Sequence, residues 1–218
     1  MTDEFKKRIL SSLILIPLSF FFIIKGSFFF ILFLLICFFV TSFEWYIMSK
    51  KKNYHFIGYI FLIFSFYSAY SLRSDFNDKS LVIFLIIIIT CISTDMGGYI
   101  FGKIFKGPKL TKISPKKTLS GMIGSFFLSI IVIYVFFYSS YIHLENINKF
   151  SVETLILILL ISTVSQIGDI TISYFKRVSK IKNTGKIIPG HGGMLDRIDG
   201  MIFAFPFSYI IFSLEIIK

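Results

Sequence analysis

Seven apolar runs alternate with polar segments along the 218-residue chain, at 9–24, 27–46, 54–71, 80–101, 119–140, 152–170 and 199–217. At 1.5 Å of rise per helical residue, runs of this length suit a hydrocarbon layer about 30 Å thick. The first two are parted only by Lys25 and Gly26. Together they are too long for one crossing, so the pair reads as a tight helical hairpin. Lipid leaves backbone polar groups no partner but the chain itself, and a long apolar run satisfies them as a helix. The pattern therefore predicts an all-α integral membrane protein: a polytopic bundle of about seven transmembrane helices, residues 1–218 forming a single membrane domain without internal repeats or linkers.

Composition strengthens that reading. Hydrophobic residues make up 55% of the chain, with 29 Phe and only 16% charged residues, and the mean hydropathy is +0.80, well above a soluble domain. Lys6, Lys7 and Arg8 ahead of the first run look like the start of a signal peptide, but no small-residue cleavage site follows, so it reads as a retained helix. Cys37 and Cys91 lie inside apolar runs without metal-ligand spacing and read as packing residues.

The net charge of +11 leaves nucleic acid, an anionic lipid surface or an anionic substrate as partners. Its placement decides. With the N-terminus cytoplasmic, eighteen of the 23 basic residues fall on the cytoplasmic side and five opposite (Lys25, Arg73, Lys79, Lys149 and Lys218), as the retention of Lys and Arg on that side requires. The expectation is a multi-pass inner-membrane protein with the lipid bilayer as partner and no nucleic acid. The polar stretches 102–118 and 171–198 then share the cytoplasmic face.

Those stretches carry the chemistry. Asp169 ends the sixth run, and Asp196 and Asp199 open the seventh, three residues apart and hence on one helical face. Each carboxylate would cost on the order of 3 kcal/mol near the bilayer centre, and together they repel. A divalent cation answers both problems, and oxygen ligands select a hard ion, Mg²⁺ or Mn²⁺, whose shell is completed by water and phosphates. Between the carboxylates lies Pro189-Gly190-His191-Gly192-Gly193, whose glycines can turn successive N–H groups toward an anion. Lys176, Arg177, Lys182 and Arg197 add cations. Further upstream, Asp95 is another carboxylate at membrane level, and Ser114-Pro115-Lys116-Lys117-Thr118 sets two cations and two hydroxyls before a helix. Taken singly, a Gly-Gly pair is a turn and a cytoplasmic lysine a topology signal. Taken together they describe phosphoryl or nucleotidyl transfer.

At these residues the chain resembles the phosphatidate cytidylyltransferase family. That family's Ser-x-x-Lys-Arg, Lys-Asp and Pro-x-His-Gly-Gly-x-x-Asp-Arg-x-Asp signature is met from Ser173 to Asp199 at every anchored position but one, where Asn183 replaces Asp. An Asp-to-Tyr block followed by Phe-Gly-Lys is matched from Asp95 to Lys103, and a Ser-Pro-Lys-Lys-Thr block from Ser114 to Thr118. Two residues beyond it Ser120 stands where Glu is common. The likeness covers the C-terminal part of the chain, so that 81–218 reads as the catalytic region and 1–80 as N-terminal hydrophobic helices similar to the family only in hydropathy.

The resemblance implies attack by the phosphate of phosphatidic acid on the α-phosphorus of CTP, giving CDP-diacylglycerol and pyrophosphate. It assigns Asp169, Asp196 and Asp199 to Mg²⁺, with a second, monovalent cation and a homodimer left open. Lys176 and Arg177 join these aspartates as catalytic residues, while Asp95, Lys116, Lys117, Ser173, His191, Gly192, Gly193 and Arg197 fall to substrate binding. A CTP-dependent polyprenol kinase is the nearest alternative enzyme. A CDP-alcohol phosphatidyltransferase would need a helix-pair motif absent here, and a transporter would spread its charges along a path through the bilayer.

The charge asymmetry is directly testable. In a chain freed of Cys37 and Cys91, cysteines at Lys109→Cys and Lys182→Cys are expected to react with an impermeant thiol reagent from the cytoplasmic side only. Labelling of either in intact cells would overturn the orientation.

Overall fold

A computed structural model describes residues 3–75, 79–111, 113–139, 150–190 and 192–216, with the side chains of 3–8 and 139 outside the description. Eight helices follow in order: α1 (Asp3–Lys25), α2 (Ser27–Ser49), α3 (His55–Ser74), α4 (Ser80–Phe105), α5 (Leu119–Ser139), α6 (Val152–Val178), α7 (Leu195–Ile198) and α8 (Met201–Ser213). Among the described residues there is no strand, only two isolated bridges. Each of the seven apolar runs is helical over most of its described residues. Helices α2 to α6 are each long and apolar enough to cross a membrane, while Ile9–Lys25 and α8 are shorter apolar helices. This is a multi-pass helical membrane protein.

One run departs from its expected form. Within 199–217 the helix is α8, Met201–Ser213, which is shorter than the helices long enough to cross a membrane, and the one-turn α7 precedes it. Asp199 and Gly200, which join the two, keep helical dihedrals, with φ of −56° and −70°. The Ser165 hydroxyl crowds the Cβ-less side of Gly200, which lets α6 pack close to this junction.

The α1–α2 hairpin turns on Gly26, whose φ of 65° and ψ of −156° suit a residue without Cβ. Arg73 of α3 clasps it. Its Nε donates to the Ile23 carbonyl at 3.0 Å and its Nη2 to that of Ile24 at 3.4 Å, and a Cβ at residue 26 would stand 2.9 Å from the guanidinium. At the start of α6, Ser151 Oγ accepts from the Thr154 N–H at 3.2 Å, a side-chain cap on an otherwise unpaired donor.

Helix α4 is the axis of the bundle, with 61% of its apolar stretch buried against 22% for α2. Apolar burial gains little between helices already surrounded by lipid, so close van der Waals contact and polar bonds between helices must do more. Both occur on α4. Gly97, Gly98 and Gly102 face Gly121, Gly124 and Ser125 of α5. So near are the backbones that a Cβ on Gly97 would lie 2.5 Å from the Gly124 carbonyl oxygen, and one on Gly121 would lie 2.7 Å from that of Gly98. Thr94 Oγ1 donates to Ser162 Oγ of α6 at 2.8 Å, and Ser125 Oγ to the Thr94 carbonyl at 2.7 Å. Phe84 stacks on Phe205 and meets Phe30 edge-on, each at 5.3 Å between centroids, joining α2, α4 and α8. Outward faces carry Leu13, Ile14, Phe39, Ile60 and Phe127, a surface matched to acyl chains.

Because backbone cannot retreat as a side chain can, Gly97→Ala is expected to cost about 1–3 kcal/mol, read as a fall in thermal stability in detergent. Gly98→Ala, whose methyl would meet the Ser125 hydroxyl at 3.0 Å and backbone no nearer than 3.9 Å, is expected to cost less. Equal stability of Gly97→Ala and the native chain would refute the close seam.

Candidate active site

Three polar segments meet at one end of the bundle. The first joins α4 to α5. Leu110 N donates to the Lys117 carbonyl at 2.8 Å and Leu119 N to that of Pro108 at 2.9 Å, while Lys117 N reaches the Ser114 carbonyl at 3.0 Å. The Ser114-Pro115-Lys116-Lys117 stretch is thereby a tight turn at the tip of a short hairpin. Thr118 Oγ1 accepts from the Gly121 N–H at 3.1 Å at the start of α5. Ser120, which replaces the family's common Glu, accepts from the Gly107 N–H at 3.2 Å and so ties the two strands of the loop. Lys116 is exposed, whereas Lys117 turns inward.

The second segment is the end of α6. Asp169 and Ser173 are one turn apart, and Ser173 Oγ donates to Asp169 Oδ1 at 3.3 Å. Lys117 crosses from the first segment to place its Nζ 2.5 Å from Asp169 Oδ2. Lys176, two turns beyond Asp169, gives its Nζ to Asp196 Oδ1 at 2.7 Å. Arg177 is exposed.

The third segment is the loop from 179 to 194 with α7. Ile188 and Gly192 exchange both backbone bonds, at 2.9 and 3.1 Å, closing a small hairpin at Pro189. Gly190 and Gly192, with φ of 75° and 95°, supply the left-handed conformations that this turn needs. His191, expected among the substrate-binding residues, lies outside the described residues. Gly193 is buried and leaves room for the Thr184 hydroxyl, so its smallness serves packing. Asp196 Oδ2 accepts the Thr184 N–H at 2.8 Å.

The carboxylates sort themselves between the two lysines. Asp95, Asp169 and Asp199 lie within electrostatic reach of one another, with Lys117 and Arg197 acting on Asp95 and Lys176 on Asp199. Asp199 is 6% exposed, and its Oδ1 accepts the N–H of Gly200 at 2.9 Å. Asp196 and Asp199 are three residues apart, but it is Asp196 that pairs with the Lys176 ammonium, which acts on Asp199 only through its field. Both Asp196 oxygens are already engaged, and among the described residues no three His, Cys, Asp or Glu side chains stand close enough to hold a metal ion between them. The expected trio of Asp169, Asp196 and Asp199 is thus not a closed cluster. The donor chemistry still suits a hard cation, since Asp169, Asp199 and Asp95 offer carboxylate oxygen only. Mg²⁺ commonly takes just one or two carboxylates and fills its shell from water and phosphate.

One residue at this site has no counterpart in the expected set. Glu44 of α2 is fully buried, and its carboxylate accepts from Thr184 Oγ1 at 2.9 Å, Met194 N at 2.9 Å and Leu195 N at 2.8 Å. A signal for it existed in the sequence, as the lone acid inside the second apolar run.

A transmembrane bundle that gathers lysines, arginines and aspartates at the end of its central helices, beside a glycine hairpin, has the chemical make-up of a membrane-embedded nucleotidyltransferase. Comparison with known proteins places it more closely. A profile of the cytidylyltransferase family matches residues 51–215. Proteins named phosphatidate cytidylyltransferase are similar along much of the chain. The one from Rickettsia felis is 36% identical over 210 residues, covering 94% of this chain and 90% of that protein. That of Staphylococcus haemolyticus is 35% identical over 175 residues, 76% of this chain and 64% of the relative. That of Staphylococcus aureus strain COL is 37% identical over 159 residues, 71% and 56% respectively. The chain belongs to the cytidylyltransferase family and is a nucleotidyltransferase.

Proposed function

We propose that this protein is a phosphatidate cytidylyltransferase of phospholipid biosynthesis, converting CTP and phosphatidic acid to CDP-diacylglycerol and pyrophosphate at the cytoplasmic face of the inner membrane. The observation that carries this reading is the Lys117–Asp169 ion pair. It draws the Ser-Pro-Lys-Lys turn onto the end of α6, so cations suited to a triphosphate adjoin carboxylates suited to its counter-ion. The names of the relatives supply the substrates.

The reaction asks little covalent chemistry of the protein. An anionic oxygen of the lipid phosphate forms a bond to the α-phosphorus of CTP. The bond from that phosphorus to the oxygen bridging to the β-phosphate breaks, and the pair leaves with pyrophosphate. The nucleophile is already deprotonated, so catalysis rests on holding two anions in line and on neutralising charge as it shifts. Lys116, exposed at the turn, meets the triphosphate first. Lys117 and Lys176, set among carboxylates, hold ammonium charge beside the reacting phosphates, and Arg177 and Arg197 at the rim suit bidentate contact with phosphate oxygens.

Asp169 and Asp199, with Asp95 beside them, would hold Mg²⁺, which when bound supplies charge neutralisation at the phosphoryl oxygens. Asp196 takes a different part, fixing Lys176 and the Thr184 backbone. The lipid reaches this end of the bundle sideways from the bilayer, between helices whose outer faces are apolar.

Purified protein in detergent with CTP, Mg²⁺ and phosphatidic acid is expected to release CDP-diacylglycerol and pyrophosphate in equal amounts. Failure to do so with folded protein and either Mg²⁺ or Mn²⁺ would defeat the proposal, and CDP release with a phosphorylated polyprenol would identify the kinase instead. Asp169→Asn is expected to lower turnover more than tenfold even at saturating Mg²⁺, a barrier increase above about 1.4 kcal/mol. The two lysines should separate. Lys116→Gln is expected to raise KM for CTP several-fold with kcat within about twofold, since it weakens binding alone. Lys117→Gln, which also frees Asp169, is expected to lower kcat by at least tenfold.

A further inference from the structure

Glu44 lies outside the segment matched by the family profile, which begins at residue 51, on a helix whose sequence shows only hydropathy. We propose that it is the positioning residue around which the 179–194 loop and α7 are assembled, so that the catalytic unit includes α2. The inference rests on the assignment of that loop to the nucleotidyl-transfer site.

The geometry is that of a template. Three donors from two parts of the chain converge on one fully buried carboxylate: the Thr184 hydroxyl, and the Met194 and Leu195 N–H groups at the start of α7. Only a carboxylate, which accepts at both oxygens and donates at neither, satisfies such a set. The loop is moulded to it. A Cβ on Gly185 would lie 2.5 Å from Glu44 Oε1, and one on Gly193 would lie 2.7 Å from Oε2. Those two glycines make room for the carboxylate itself.

From Glu44 the bonds run in a closed circuit. Leu195, held by its N–H, precedes Asp196. Asp196 Oδ2 holds the Thr184 N–H, and the Thr184 hydroxyl returns to Glu44. The other oxygen of Asp196 fixes the Lys176 ammonium. The position of a phosphate-binding cation thus depends, two bonds removed, on a residue of α2. Two further bonds secure the loop from the same side: Ser179 Oγ to the Met48 carbonyl at 2.7 Å, and Ser11 Oγ to the Pro189 carbonyl at 3.0 Å. Helices α1 and α2 form the wall against which the loop is set.

The Glu44→Gln variant keeps the size but turns an NH₂ group toward backbone N–H donors, leaving a buried donor unmet. It is expected to lower kcat for CDP-diacylglycerol formation at least tenfold while KM for phosphatidic acid stays within about threefold. Tryptic cleavage at the exposed Lys180, Lys182 and Lys186 should quicken at least fivefold, with cleavage at Lys50 to Lys52 unchanged. Thr41→Val, in the same helix and equally buried, removes a hydroxyl that bonds only to the Cys37 and Phe38 carbonyls, and should leave both readings at native values. Native kcat in Glu44→Gln, or equal quickening of cleavage at both sites, would overturn the proposal. Should Glu44→Gln fail to accumulate, Thr184→Val against Thr184→Ser decides: a larger loss of kcat and faster loop cleavage in Val supports the circuit, and identical behaviour refutes it. Absence of product from the native protein would defeat the assigned reaction, while the cleavage contrast would still judge Glu44.

Discussion

A carboxylate removed from water must be met by donors or cations, and in a bundle surrounded by hydrocarbon the protein has to supply them. This requirement organises the functional end of the molecule. Asp169 draws Lys117 across from the α4–α5 loop, Asp196 draws Lys176 and Thr184, and Glu44 draws the beginning of α7. Each acid stitches together segments that hydropathy alone would leave as separate connectors. The apolar contacts decide which helices lie side by side; the acids decide how their ends are arranged.

The same logic explains why the site alternates in sign. Lys117 is paired with Asp169 and Lys176 with Asp196, while Asp95 and Asp199 lie within electrostatic reach. An arrangement of this kind can exchange partners when a polyanion and a metal ion arrive together. A site built of lysines alone would repel itself, and one of aspartates alone would repel the substrate.

Much of this was legible in the sequence, for a physical reason. Membrane helices are dictated by the cost of burying unpaired backbone, which depends on local hydropathy alone, so each of the seven runs proved helical over most of its described residues and the hairpin at Gly26 was visible. Helices α4 and α6 run on to Phe105 and Val178, beyond the apolar runs ending at 101 and 170, because a helix does not stop where its residues turn polar. The close packing at Gly200 was hidden, since it depends on Ser165 of another helix. Of the site, the residue types were readable and the pairing was not. Nothing in the order of residues says that Lys176 serves Asp196 or that Asp196 spends both oxygens on loop and lysine. Glu44 belongs to no cluster, yet a solitary acid in an apolar run carries the same cost and the same implication as a grouped one.

The distance in sequence between Glu44 and its partners bears on how the chain is made. Its backbone donors lie 150 and 151 residues downstream, so α2 leaves the ribosome and meets the membrane long before Met194 and Leu195 exist. Throughout synthesis of the intervening helices that acid has only water, lipid headgroups or the insertion machinery to satisfy it. The N-terminal helix pair is therefore poorly suited to settle early and independently, and α2 is completed only by residues translated well over a hundred positions after it.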